Sequence, residues 1–378
     1  MRLDLIHAGT ADLLRGLWRR EILPWPGDGE LTAKRFLDDL DAQGMSPLVW
    51  HQLNKHTLAM DWPAEVVEGL RDRAFREAAA ELVWDAELQS VLKSLAAEGI
   101  SPLLFKGSAL SRMCYPQPGL RPRCDTDLLV PESMKQLAQS VMRKRGYQPL
   151  YEASVEQISG QMNWFKPGRT RVGHSYDLHW RIRNNDCEFV RVFNYDYLLD
   201  GAVMLEGLGE HARALNPADA LLLACVHRAG HFSHSGDRLV WLHDIHLLAA
   251  ALTAEDIERF QSNAEKLGLH ALCADAFGVT ASWFGTVFPP PLDVLRRSGR
   301  KGREGQAYLQ LDRASGIRRS VRRELKAMTW SEGLRFLIQN LFPPPAYMYW
   351  RYGTDDKLRL PGLYIKRLLQ GMRIVIGK

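Results

Sequence analysis

Residues 103–130 read LLFKGSALSRMCYPQPGLRPRCDTDLLV and residues 176–180 read YDLHW, and these two stretches decide which fold the chain can adopt. The LLF, DLLV and YDLHW segments are short and mostly apolar, as buried strands are. The KGS triplet at 106–108 predicts a turn, and the residues from Ala109 to Tyr115 predict a helix. Strands that alternate with helices are typical of an α/β or α+β core.

The same signals extend the predicted core toward the C-terminus. Apolar side chains at helical spacing predict a helix over 132–145, which stops at Gly146. Further strands are predicted at 147–151 and 162–166, and a Gly- and Arg-rich turn joins the latter to the strand that carries YDLHW. The strands of the core are therefore expected at 100–105, 123–130, 147–151, 162–166 and 175–182.

Helices are predicted on both sides of this core. Apolar residues recur at helical spacing in 35–53 and 78–99, and again after Asn216 and Pro217, which form a suitable cap and first turn. We therefore expect a helix-rich α+β protein in three parts: an N-terminal helical segment at 1–95, a core at 96–215 and a C-terminal helical domain at 216–378.

Two carboxylates in the DTD triplet point to a metal site. Side chains alternate across a strand, so Asp125 and Asp127 are expected on one face, about 7 Å apart along the strand. Carboxylates this close repel each other unless a cation lies between them, and hard oxygen ligands suit Mg²⁺. Asp177, on another strand, would complete a two-metal site and could act as a general base.

The KGS triplet supplies features that suit phosphate. Glycine lets a backbone approach a ligand closely, and a helix N-terminus presents free N–H groups to an anion. Gly107 and Ser108 are therefore predicted to hold phosphates. Lys106, Arg121 and Arg123 flank the same site and are predicted to contact phosphate oxygens.

In order along the chain, FKGSAL, CDTDLLV and YDLHW resemble the hG[GS], [DE]h[DE]h and h[DE]h motifs (h, apolar) of the DNA polymerase β-type nucleotidyltransferase superfamily. The resemblance implies a polymerase β-like core with a mixed sheet. It also implies two Mg²⁺ ions at Asp125, Asp127 and Asp177, and a triphosphate at Gly107 and Ser108. The implied reaction moves a nucleoside monophosphate from an NTP to an acceptor, with pyrophosphate leaving.

More narrowly, KGSAL…RPRCDTDLLVP…YDLHW is similar to a bacterial family of uncharacterised nucleotidyltransferases, over roughly residues 80–370. Related genes often accompany polysaccharide or peptide natural-product clusters. The resemblance therefore implies a small-molecule, glycan or peptide acceptor. A non-catalytic nucleotide-binding or assembly protein with the same fold is the main alternative.

Several histidines leave a second chemistry open. His227, His231, His243 and Asp244 have the residue types of a His-Asp metal phosphohydrolase, although packing in a helical core explains the same spacing. Under the family resemblance, His227 and Asp244 are instead candidates for substrate contact. His179 shares a strand face with Asp177 and could hydrogen-bond it, or serve only in the structure.

Charge is distributed unevenly along the chain. Residues 290–378 contain 19 Lys/Arg against 7 Asp/Glu, whereas the whole chain has 49 against 44. The basic runs at 296–306 and 318–325 have few interleaved aromatics, so nucleic-acid binding is not favoured. The basic, amphipathic segment at 360–378 predicts either a docked terminal helix or contact with an anionic membrane surface.

The remaining sequence signals favour a cytoplasmic enzyme. The five cysteines are odd in number and lack CxxC spacing, which argues against a disulfide framework or a structural zinc site. The first twenty residues carry Asp4 and Asp12 and no long apolar run, unlike a signal peptide. We therefore expect the reducing cytoplasm as the location.

Overall fold

The structure is a computed structural model that describes most of the chain: residues 3–21, 24–26, 29–56, 61–150, 160–168, 172–182, 193–230, 237–298, 330, 334, 338, 341–343, 345–354 and 356–376.

Four helices precede the sheet: α1 (Ala8–Arg19), α2 (Ala33–Gln43), α3 (Ser46–His56) and α4 (Ala64–Ala97). The helical pattern of 35–53 is divided between α2 and α3 because Gly44 takes a left-handed conformation, with φ at 69°. Such a conformation ends a helix readily when the residue has no side chain. The 34-residue α4 then ends just before Gly99, as its sequence predicts.

Seven strands form one mixed sheet in the order β3-β4-β5-β2-β1-β7-β6. Strand β1 pairs antiparallel with β2 and parallel with β7, and β2 pairs parallel with β5. The remaining neighbours are antiparallel. The strands are β1 (Leu103–Phe105), β2 (Thr126–Leu129), β3 (Gln148–Pro149), β4 (Gln161–Lys166), β5 (His174–His179), β6 (Val203–Met204) and β7 (Arg213–Ala214).

Helices within and after the sheet complete the fold. Helix α5 (Lys106–Met113) follows β1, α6 (Lys135–Lys144) follows β2, and α7 (Tyr195–Asp200) precedes β6. The C-terminal helices are α8 (Pro217–Gly230), α9 (Leu239–Ala251), α10 (Ala254–Lys266), α11 (His270–Phe284), α12 (Pro290–Ser298), α13 (Pro345–Tyr352) and α14 (Leu360–Ile376). Helix-rich α+β architecture with a mixed sheet is therefore confirmed.

The two faces of the sheet pack against different helices. Leu104, Leu128 and Leu178 belong to one apolar cluster with residues of α4 and α6. Phe105 and Leu129 face the other way and pack into a second cluster with helices α8 to α12. Since side chains alternate along a strand, Asp127 lies on the same face as Leu129. The acidic residues of the sheet thus face the C-terminal helices.

A third apolar cluster crosses from the beginning of the chain to the C-terminal helices. Residues of α1 to α4 pack in it against Leu239, Val240 and Leu242 of α9 and against Trp283 and Phe284 of α11. The division into parts at residues 95 and 215 remains a prediction, and apolar packing continues across both positions.

The C-terminal segment forms the helix that its amphipathic pattern predicts. Helix α14 lies against α13, with a hydrogen bond of 2.9 Å from the Tyr352 hydroxyl to Gln370. Contact with a membrane surface remains a prediction, and the basic runs at 299–306 and 318–325 lie outside the described residues. None of the helices in the described part of the chain has both the length and the apolar character required to cross a bilayer.

Candidate active site

The parallel pairing of β2 and β5 brings the acidic residues together. Asp127 is directly opposite Asp177 in the register, and Leu129 is opposite His179. Strand β2 begins at Thr126, so Asp125 lies just before it rather than within it. Burial, and then the charge of Asp127, raises the pKa of Asp125. The predicted convergence of acids from two distant segments is therefore observed in the described structure.

Asp127 accepts two hydrogen bonds on a single oxygen. The Nζ atom of Lys106 lies 2.7 Å from Oδ1, and Nε2 of His179 lies 2.9 Å from the same atom. Burial works against ionisation, but the charge of Lys106 and the bond from His179 hold the pKa of Asp127 below its ordinary value. An ionised Asp127 can only accept, so His179 donates from Nε2. The partner of His179 is thus Asp127, not Asp177.

Asp177 has no cationic partner in the described part of the chain. It accepts hydrogen bonds from the side-chain amides of Asn163 and Gln161, the latter at 3.3 Å. Burial, and then the charges of Asp127 and Asp125, raises the pKa of Asp177 to about 7. Neutral amides therefore orient this carboxylate without neutralising it.

Asn163 and Gln161 are site residues that the sequence analysis missed. They lie on β4, where Asn163 is opposite Asp177 and Gln161 is opposite His179. Polar and apolar residues alternate in the sequence QMNWFK of β4, and the apolar Met162 and Trp164 are buried on the face opposite to the two amides. Two amides on the polar face of a strand next to an acidic strand could have been proposed as partners of its carboxylate.

The junction between β1 and α5 positions Lys106. This residue has a φ of 54°, in the left-handed region that residues with a Cβ atom rarely adopt. It is also the first residue of α5, so the KGS triplet forms the first helical turn rather than a separate turn before the helix. The unusual backbone turns the chain from β1 into α5 within one residue and leaves the ammonium group at Asp127. Such strain is concentrated at functional sites.

Gly107 and Ser108 are packed tightly in that first turn. A Cβ atom on Gly107 would lie 2.6 Å from Nη1 of Arg121, so the position has no room for a side chain. Ser108 is buried, and its hydroxyl donates to the carbonyl of Phe105 at a long distance of 3.5 Å. Their predicted contact with phosphate remains a prediction, as does that of Lys106.

The two arginines of the RPR segment have protein partners. Arg121 forms a two-pronged ion pair with Asp244, with Nε at 3.1 Å and Nη2 at 2.7 Å. Arg123 pairs with Glu81 at 2.9 Å. The phosphate contacts predicted for Arg121 and Arg123 remain predictions, but they would have to compete with buried carboxylates.

A small cavity lies beside Lys106, the residue that hydrogen-bonds Asp127. Its walls come from α5, α8 and α9, and its polar lining includes Lys106, Arg121, His227 and Asp244. Its volume is about 30 Å³, which is room for about two water molecules. Lys106 therefore links this cavity to Asp127, and a larger ligand would have to widen it. The two candidates for substrate contact, His227 and Asp244, both lie on its wall.

The structure gives little support to a His-Asp metal site at the C-terminal helices. Asp244 is occupied by Arg121 and by the hydroxyl of Tyr115 at 2.7 Å, and His243 bonds the same hydroxyl through Nδ1 at 3.2 Å. His231 lies outside the described residues. Among the residues that the structure describes, the group able to hold a metal is Asp127, Asp177 and His179, whose ligand atoms lie within 4.8 Å of one another.

The charges of the site fit a divalent cation. Asp125, Asp127 and Asp177 together carry three negative charges when ionised, and Lys106 supplies one positive charge. Burial lowers the pKa of His179, so the imidazole is neutral near pH 7. Burial, and then the charges of the neighbouring carboxylates, raises the pKa of both Asp125 and Asp177. A cation among these oxygens would remove the repulsion.

A comparison with protein families agrees with this arrangement. The family model described as "Uncharacterised nucleotidyltransferase" matches residues 30–285, which include α2 to α11 and every strand of the sheet. A search of curated proteins finds no match. On the extent of the family match, the chain belongs to the uncharacterised nucleotidyltransferase family.

Proposed function

We propose that this chain transfers a nucleoside monophosphate from an NTP to a small-molecule, glycan or peptide acceptor in a Mg²⁺-dependent reaction. A bond forms between an acceptor oxygen and the α-phosphorus, and the bond from that phosphorus to the bridging oxygen breaks. Pyrophosphate leaves with those electrons, and the acceptor loses its hydroxyl proton. Membership of a nucleotidyltransferase family supports the reaction class.

The observation that carries the proposal is the register of β2 against β5. It puts Asp127 beside Asp177 on the sheet face that looks toward the cavity, with Asp125 just before β2. These three residues would hold the two Mg²⁺ ions. When bound, the ions would neutralise phosphate charge and make the acceptor hydroxyl more acidic.

The protein groups have separate roles in this proposal. Asp177, whose pKa is raised to about 7 without a cation, would be ionised once Mg²⁺ is bound and would then help to remove the proton of the acceptor hydroxyl. Asn163 and Gln161 fix the orientation of its carboxylate through their amides. Lys106 and His179 hold the carboxylate of Asp127 by a single oxygen, which leaves the other oxygen for a cation.

The first turn of α5 supports phosphate binding. Its first N–H groups, which have no partner within the helix, begin at Lys106, and Gly107 adds no side chain of its own to a turn against which Arg121 already packs. The adjoining cavity, with His227 and Asp244 on its wall, is the proposed site of the acceptor. Apolar side chains of α5 and α8, together with Phe105, Leu215 and Trp241, form most of the remaining wall.

The test is release of pyrophosphate from each of the four common NTPs with MgCl₂ and a panel of sugar, peptide and small hydroxylated acceptors. We expect release that depends on NTP, acceptor and Mg²⁺ together, and loss of release in Asp177→Asn. If NTP binds to the wild-type chain but no pyrophosphate appears with any acceptor, the binding-only alternative is supported. Release that persists unchanged in Asp177→Asn would overturn the assignment of the site.

A further inference from the structure

Among the described residues, the buried arginines near the site have carboxylate partners, whereas the half-buried Arg238 does not. Arg112 pairs with Asp85, Arg121 with Asp244, Arg123 with Glu81 and Arg228 with Asp237 and Asp275. Arg238, directly before α9, has no carboxylate within ion-pair distance in the described structure. Even a half-buried guanidinium gains from a counter-ion, and an anionic ligand could supply the one that Arg238 lacks.

The contacts of Arg238 leave most of its donors available. Its Nε donates to the carbonyl of Ala42 at 3.2 Å, and its guanidinium carbon lies 5.8 Å from the ring centroid of Trp241. A guanidinium has five N–H groups in a planar fork that suits phosphate oxygens. The bond to Ala42 uses one of them and anchors the side chain by its inner end.

Arg238 directly precedes α9, the helix that places Trp241 and Asp244 on the wall of the cavity. Burial, and then the positive charge of Arg121, lowers its pKa, whereas Cys124, Asp244 and Asp125 act in the opposite direction. Trp241, one turn further along α9, lines the cavity together with Lys106.

The position also suits an anion for a second reason. Arg238 is the N-cap residue of α9 but its side chain makes no capping bond; Gln43 accepts a hydrogen bond from the backbone of Leu239 at this end of the helix. Positive helix-end charge and the guanidinium therefore act in the same place. Arg121 and Arg123, by contrast, cannot turn to a ligand without leaving Asp244 and Glu81 unpaired in the interior.

We propose that Arg238 binds the terminal phosphates of the nucleoside triphosphate, a subsite contributed by the C-terminal helices and adjacent to the carboxylates. This inference rests on the proposed function for the identity of the ligand, whose chemical class is a polyphosphate anion. The carboxylates and their cations serve the α-phosphate, and Arg238 holds the part of the substrate that leaves as pyrophosphate.

The test uses inorganic tripolyphosphate as the probe, titrated calorimetrically into the full chain with and without MgCl₂. We expect Arg238→Gln to weaken binding by about 10- to 100-fold, because a charge-assisted hydrogen bond is lost. Arg238→Lys should weaken binding by about 5-fold, since it keeps the charge but not the fork. Arg71→Gln is the matched control; Arg71 is exposed on α4, beside Asp72, and we expect no change.

The affinities of the variants for tripolyphosphate either support or overturn a phosphate-binding role for Arg238. Unchanged affinity in Arg238→Gln, or an equal loss in Arg71→Gln, overturns the inference. If Arg238→Gln does not fold, as judged by thermal unfolding, the lysine variant decides: wild-type affinity in Arg238→Lys overturns the inference, and weaker binding supports it.

The same variants separate this inference from the proposed function. If tripolyphosphate binding depends on Arg238 but the wild type releases no pyrophosphate, the subsite stands and nucleotidyl transfer fails. If the wild type releases pyrophosphate and Arg238→Gln has the same KM for NTP, transfer stands and the subsite is wrong.

Discussion

The carboxylates of the sheet and the Arg121–Asp244 pair are both buried and charged, yet their electrostatics differ. Arg121 and Asp244 neutralise each other through two hydrogen bonds, and Tyr115 donates a third to the carboxylate. At the sheet, Lys106 is the one cation among the described residues that forms an ion pair with the group Asp125, Asp127 and Asp177.

The difference shows what distinguishes a functional cluster from a structural one. A balanced buried pair needs nothing from solvent, and removing either partner leaves a charge without compensation. An unbalanced group stores repulsion that a ligand can relieve. Both groups are buried, so it is the unbalanced charge that distinguishes the candidate site at β2 and β5 from the Arg121–Asp244 pair.

The largest expected effect is on activity at the unbalanced site. Asp127→Asn should lower pyrophosphate release by roughly 10³-fold, because several kcal/mol of charge stabilisation at the reacting phosphate would be lost. The protein should remain folded, since the substitution also removes repulsion with Asp125 and Asp177. Asp72→Asn, on the exposed surface of α4, is the isosteric control and should retain activity. Full activity in Asp127→Asn would contradict the assignment of this residue.

At the Arg121–Asp244 pair, whose charges balance, the expected effect is on stability. Asp244→Asn should lower the free energy of unfolding by about 3–5 kcal/mol, because the charge of Arg121 would remain buried without its partner. Chemical denaturation measures this. The double variant Arg121→Met, Asp244→Leu should recover much of the loss, since neither charge remains. A single variant as stable as the wild type would show that the pair is not buried in solution.

A pH titration sharpens the same comparison. The pKa of Asp177 is raised to about 7 in the folded chain, from an ordinary value of 3.8. Between these values the folded state binds more protons than the unfolded state, so stability falls as the pH rises from about 4 to about 7. The effect is at most about 4 kcal/mol, at 1.36 kcal/mol for each pH unit.

The measurement for that prediction is the free energy of unfolding of the wild type minus that of Asp177→Asn, across this range without divalent cations. The difference should decrease toward pH 7 and then become constant. Saturating MgCl₂ should reduce the dependence, because a cation favours the ionised carboxylate. A difference that does not vary with pH would mean that Asp177 is not held in a repulsive environment.

The smallest expected effect concerns the hydrogen bond from His179 to Asp127. His179→Leu should lower kcat by about 10-fold, because the carboxylate loses one of the two donors that orient it. His179→Gln can still donate and should recover part of that loss. Manganese binding, followed by electron paramagnetic resonance, should weaken in the leucine variant more than in the glutamine variant. Equal behaviour of the two variants would indicate a packing role only.

Sequence patterns predicted the acidic strands because each has a clear apolar run. Their register was not predictable, since the pairing of Asp127 with Asp177 joins segments fifty residues apart. The predicted strands were also too long at their ends: 123–130 became Thr126–Leu129. Strands β6 and β7 have two residues each, too few for any alternation to be visible.

The partners of charged residues were the hardest part to predict. Arg121 and Asp244 are 123 positions apart, so their pairing depends on how α9 packs over the sheet. The same holds for Arg238, which has no carboxylate partner among the described residues, a fact that only the tertiary contacts reveal. Composition and spacing were enough to identify the acidic residues. The partners of the basic residues could be identified only from tertiary contacts.

The N-terminal helices hold the beginning of α9 in place. Gln43 accepts a hydrogen bond from the backbone of Leu239 at 3.0 Å, Ala42 accepts from Arg238, and an apolar cluster joins both regions. A fragment that started at the sheet would keep every carboxylate but would expose the inner surface of α9 to water. The smallest folded unit that contains the candidate site therefore extends back to α2, well before the first residue of the acidic motif.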